Sequence, residues 1–226
     1  VWADKHGVHD NTFRGRNYDA YPHFFVYLKR KFPNACTGSF VDWEPIDTYI
    51  VRAADVRKVR PASSKDSLEQ KDKMLAGEAV QFLTQQNPHA VFVYFGQVDE
   101  VGHRDGFHPS VPSYLQAIQT VDVHIASLIG AIQSRPDHVQ ENWLIIISTD
   151  HGGRGRKHRG GHDVPEIVTT FLVVSGKDSM KGEIEEPFYI VDVPVIALTH
   201  LGVPIEGAWQ LDGKAVGVRQ EFRNNQ

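Results

Sequence analysis

The sequence predicts an α/β fold in which a mostly parallel sheet is sandwiched by helices. Two short apolar runs, "AVFVYFG" from Ala90 and "NWLIIIST" from Asn142, alternate with longer segments whose apolar residues fall at helical spacing. Each run is apolar almost throughout, as suits a strand covered on both faces. Each is also followed at once by a carboxylate and an imidazole, at the strand end where open parallel sheets collect their ligands.

In chain order, "YPHFFVYLKRKFP" (Tyr21 to Pro33) groups aromatic and aliphatic residues at helical spacing and stops at a proline, which predicts a short helix. "ACTGSFVDW" and "DTYIVR" read as short strands. From Asp66 to Gln86, Leu68, Leu75, Ala79, Phe82 and Leu83 mark one face of a polar helix closed by Asn87-Pro88. Ser113 to Ser134 is a second long helix, with Leu115, Ile118, Ile125, Leu128, Ile129 and Ile132 on one face and Ser110 or Ser113 as N-cap. "VTTFLVVSG" is a third core strand. "VDVPVIALTHLGVP" reads as a helix with Pro194 in its first turn and Gly202 near its C-cap. No repeat or linker divides residues 1–226, so a single domain is expected.

Composition narrows the function. A net charge of −4 over 226 residues gives no basic excess to attract nucleic acid or anionic lipid. The apolar share of 41% and charged share of 23% belong to a folded globular chain. Cys36 is the only cysteine, which excludes an internal disulfide and thiolate metal clusters. No stretch reads as long and apolar enough to span a membrane, and "VWADKHGVHDN" at the start has no signal-peptide pattern and no initiating Met.

The chemistry concentrates at the two strand ends. Asp99 and His103 stand four residues apart just past "AVFVYFG"; Asp150 and His151 follow "NWLIII"; His162 returns after a basic, glycine-rich loop. Carboxylate oxygen and imidazole nitrogen are the usual zinc ligands when cysteine is absent, and they also suit manganese or iron. Five such residues exceed the needs of one tetrahedral ion and suggest two metals sharing an anionic substrate. Taken singly, each pair is unremarkable, because Asp and Gly are ordinary turn residues after a strand. The two pairs together carry the reading. Arg154, Arg156, Lys157, His158 and Arg159 read as a solvated charge run. Asp105 and His108 read as loop-shaping, Asp122 and His124 as structural, and spacing does not place His6 or His9.

These residues resemble the alkaline phosphatase superfamily, and within it the type I phosphodiesterase and nucleotide pyrophosphatase branch. "VDEVGH" looks like its Asp-x-x-Gly-His motif and "STDHGG" like its Asp-His-Gly motif. "GGHDVPEIVTTFLVVSG" resembles the segment with a last metal histidine, and "ADKHGVHDN" the segment after the nucleophile. The resemblance implies one metal on Asp99, His103 and His162, a second on Asp150 and His151, and Asn11 on a phosphate oxygen. It places the Thr or Ser nucleophile and a further Asp ligand ahead of Val1, so the chain is expected to be the larger C-terminal part of a catalytic domain. The activity implied is metal-dependent hydrolysis of phosphate esters, diesters or nucleotides rather than monoesters, with zinc the first choice of metal. The alternatives are a sulfatase, which would bind calcium, and an inactive metal-binding or structural fragment. Exported relatives suggest the periplasm or cell exterior.

Overall fold

The computed structural model describes residues 1–11, 14, 17–60, 65–159 and 163–219. Its helices are α1 (Ala3–His6), α2 (Phe24–Lys31), α3 (Leu68–Gln85), α4 (Gln97–Asp105), α5 (Pro112–Gln133), α6 (Pro165–Val168) and α7 (Asp192–His200). Its strands are β1 (Thr37–Val41), β2 (Val56–Val59), β3 (Ala90–Tyr94), β4 (Leu144–Ser148) and β5 (Leu172–Gly176). The chain divides into two compact units: Val1–Ala35, Val139–Asp150 and Thr170–Gln226 belong to one, Cys36–His138 and His151–Thr169 to the other.

The second unit carries a parallel sheet in the order β2-β1-β3. Every residue of β1 is buried, as its central position requires. Successive side chains leave opposite faces of a strand. Phe40 therefore meets Leu75, Ala79 and Phe82 of α3, while Val41 turns the other way onto Ile46 and Val51. Phe40, Leu75 and Phe82 each contribute roughly 2 kcal/mol through burial. A capping box starts α3, with Ser67 accepting from the Gln70 N–H and the Gln70 side chain returning to the Ser67 N–H. Helix α5 packs on α3 and α4.

Several sequence expectations are corrected here. "DTYIVR" is no strand: Pro45, at φ −60°, leads into a π-helical turn over Ile46–Ile50. The strand that follows is β2, where Asp47 of that turn receives Arg57 at 3.1 Å. The N-cap of α5 is Val111, with Pro112 at the first helical position, and the Ser113 hydroxyl donates to Asp105 instead. On length and composition α5 is also apolar enough to cross a membrane, contrary to expectation, although it serves here as a covering helix. Strands β3 and β4 are half-buried over most of their length rather than fully covered.

In the first unit β4 pairs antiparallel with β5, the exception within a mostly parallel expectation. Ile196 of α7 packs with Val216 and Val218 against Leu144, Ile146, Leu172 and Val174 of this pair. Pro194 lies in the first turn of α7 and Gly202 takes φ +68° just past its end, both as the sequence predicts. His200 closes α7 between Asp178 (Nδ1 to Oδ2, 3.1 Å) and the Asn142 carbonyl (2.9 Å).

Candidate metal centre

Helix α4 and the loop from His151 to Arg159 build the site, both within the second unit. Residues four apart share one side of a helix, so Asp99 and His103 stand together. Gln97, Val101 and Arg104 occupy the opposite side. Asp99 Oδ2 lies 3.5 Å from His103 Nε2, and Asp99 Oδ1 lies 3.9 Å from His158 Nε2. The rings of His151 and His158 are 4.1 Å apart, and those of His103 and His158 are 4.7 Å apart. One ligand atom from each of Asp99, His151 and His158 falls within 4.8 Å of the others.

Hydrogen bonds set the tautomers. His103 Nδ1 meets the Arg156 carbonyl at 3.0 Å, and His151 Nδ1 meets the Gly152 carbonyl at 2.8 Å. A carbonyl only accepts, so each Nδ1 carries the proton and each neutral ring keeps its lone pair on Nε2. That lone pair on His103 faces the carboxylate of Asp99, and Asp99 Oδ1 is buried without a hydrogen bond among the described residues. Two acceptors facing each other are satisfied by a proton or by a metal cation between them. Ligands of a tetrahedral zinc stand about 3.3 Å from one another, given bonds of about 2.0–2.1 Å. The 3.5 and 3.9 Å separations at Asp99 approach that spacing.

The glycines of the two motifs explain how loop and helix meet. An added Cβ at Gly102 would stand 2.3 Å from the Phe107 ring, and one at Gly153 also 2.3 Å from that ring. Phe107 is thus held between a helix glycine and a loop glycine, its ring edge-on to His103 at 5.3 Å. Its N–H donates to the Gly155 carbonyl at 2.7 Å. Gly106, at φ +127°, makes the turn that brings Phe107 back onto α4, a conformation that L side chains avoid. Gly152 is pressed against Glu166, whose carbonyl would lie 2.2 Å from an added Cβ, while its N–H donates to Ile167 at 2.8 Å. Arg154 and Lys157 pair across a tight turn, and Arg154, Arg156, Lys157 and Arg159 are all exposed around the imidazoles. Asp105 takes Arg104 first and Ser113 second, which hold its carboxyl down at about 2.

Of the residues expected from sequence, Asp99, His103 and His151 come together in one cluster. The expectation had divided them between two metals. His162 lies outside the described residues. Asp150 and Asn11 are exposed and belong to the other unit. Sequence reading passed over His158, which had been assigned to the charge run. Its signal was its place in the loop that begins at Asp150-His151.

The model of the type I phosphodiesterase / nucleotide pyrophosphatase family matches residues 36–158, more than half of the chain. The chain belongs to that family. The matched span holds Asp99, His103, His151 and His158. Among solved structures, the crystal structure of Ps i-CgsB shares the fold at a TM-score of 0.61 with 14% identity, over 85% of this chain. The match takes in 56% of that chain, so this family member spans little more than half its length. No curated protein matches. Family and fold agree with the α/β, alkaline phosphatase-like reading.

Proposed function

We propose that this family member is the metal-bearing part of a phosphodiesterase or nucleotide pyrophosphatase, and that Asp99, His151 and His158, with His103 beside them, hold a divalent cation. The observation that carries the reading is the convergence of these side chains, with His103 Nε2 at 3.5 Å and His158 Nε2 at 3.9 Å from the Asp99 carboxylate. The donor set fits zinc, with manganese or iron next. When bound, such a cation stabilises negative charge on the phosphoryl oxygens and lowers the pKa of an attacking hydroxyl. The chain's own residues do the rest. Arg156 and Gly152 fix the tautomers of His103 and His151, and the exposed Arg154, Arg156, Lys157 and Arg159 draw an anionic ester toward them.

In this proposal Asn11 takes a phosphate oxygen, and a Thr or Ser ahead of Val1 is the nucleophile. Location in the periplasm or outside the cell goes with it. Three imidazoles around one carboxylate favour this reading over a calcium-dependent sulfatase, since calcium prefers oxygen ligands.

The test is elemental analysis and zinc titration of the purified protein beside Asp99→Ala and His158→Ala. Near-stoichiometric zinc that is lost in both variants is expected. Zinc uptake that survives both substitutions, or none in the parent, refutes the site.

A further inference from the structure

Helix α4 begins without a cap of its own. Gly96 occupies the N-cap and offers no side chain, although the first N–H groups of a helix have no partner inside it. Two carboxyls from elsewhere take the place of a cap. Asp72, on α3 and fully buried, accepts from the Gln97 N–H at 3.1 Å. Asp42 follows the last residue of β1, and its carboxyl fills the space beside Gly96, where an added Cβ would stand 2.2 Å from Oδ2. Both carboxyls thus approach the Gly96–Gln97 peptide that opens the helix.

Carboxyls taken out of water, Asp72 fully and Asp42 in part, resist ionising. Burial, then the neighbouring Asp42, pushes Asp72 up to about 7, and burial pushes Asp42 up to about 6. Lys71 on α3, itself buried, and Glu100 on α4 are the other charged groups that act on the pair. Asp72 Oδ1 is buried and takes no hydrogen bond among the described residues.

We propose that Asp42 and Asp72 are positioning residues: two carboxyls from β1 and α3 that together clamp the first turn of α4 and so set where Asp99 stands. The clamp ties three elements, β1, α3 and α4, at the point where the chain enters the metal-bearing helix. Its effect on metal affinity rests on the proposed function. Its effect on α4 does not.

The test compares Asp72→Asn with Asp72→Ala. An amide keeps the acceptor for Gln97, whereas alanine removes it. Amide hydrogen exchange over residues 97–101 is expected to quicken by about tenfold or more in Asp72→Ala and to stay within about threefold of the parent in Asp72→Asn, given the usual worth of a hydrogen bond to a charged group. Zinc affinity should follow the same order. Equal losses in both variants, or no change in either, overturn the clamp. Should Asp72→Ala fail to fold, Asp42→Ala serves in its place, and unchanged exchange at residues 96–98 in that variant overturns the proposal equally. If the parent takes up no zinc, the metal reading fails, while the exchange contrast still decides the clamp.

Discussion

Substituting Gly102 with alanine has a predicted sign that depends on one neighbour. Two terms oppose each other. Alanine in a helix interior is favoured over glycine by about 1 kcal/mol. The new methyl would stand 2.3 Å from the Phe107 ring, well inside ordinary contact, and the ring is also packed closely on Gly153. Overpacking of this kind costs about 1–3 kcal/mol, so Gly102→Ala should destabilise the protein by up to about 2 kcal/mol. In a Phe107→Ala background the obstacle is gone, and the same change should stabilise by about 1 kcal/mol. The Phe107→Ala change alone should cost roughly 2 kcal/mol, because the ring is only half-buried. Urea titration of the four proteins gives the coupling energy directly, expected at about 1–3 kcal/mol. Additive effects, or a stabilising Gly102→Ala in both backgrounds, would show that the ring does not lock helix to loop.

The remaining predictions concern binding and pH. His158→Ala should weaken zinc binding at least as much as His103→Ala, by roughly 100-fold or more, while Arg159→Ala should leave affinity within about threefold; calorimetric titration reads both. The folded-state pKa of Asp72 lies above its unfolded value, so the protonated form adds stability that is full below about pH 4 and lost as pH rises toward 7. Asp72→Asn should flatten that slope, by at most about 4 kcal/mol between pH 4 and pH 8; an unchanged slope in urea titrations across this range counts against the buried pair. His23 behaves oppositely: burial lowers its pKa to about 3, so stability is present above about pH 6.5 and lost as pH falls toward 3. Its Nδ1 accepts from the Phe25 N–H at the start of α2, a bond that His23→Asn can keep while losing the acid sensitivity, as melting curves at pH 4 and pH 7 would show.

Much of this was legible in the sequence because it rests on local pattern. Leu75, Ala79 and Phe82 recur at helical spacing, and Asp99 with His103 at four residues defines one side of α4 before any fold is known. The partnership of Asp99 with His151 and His158 was not legible. It depends on a loop closing onto a helix through Phe107, and an aromatic residue between two distant glycines leaves no periodic trace. The β2 strand escaped notice because "VRKV" is short and half-exposed, and the more apolar "DTYIVR" upstream drew the assignment instead. The antiparallel pairing of β5 is likewise a matter of tertiary choice, since an apolar run does not state its direction.

The loop that supplies two of the imidazoles holds His151 at one end and His158 near the other, with three exposed trypsin sites between them at Arg154, Arg156 and Lys157 and a fourth at Arg159. The turn over 154–157 is closed by Arg154 and Lys157 exchanging backbone hydrogen bonds of 2.9 and 3.2 Å. A cation gripping both histidines would staple this segment shut at its ends. Cleavage by trypsin should therefore slow as the site fills, while Asp99, carried on a helix, needs no such ordering. The basic residues of this loop would then also report, through their resistance to digestion, whether the proposed centre is loaded.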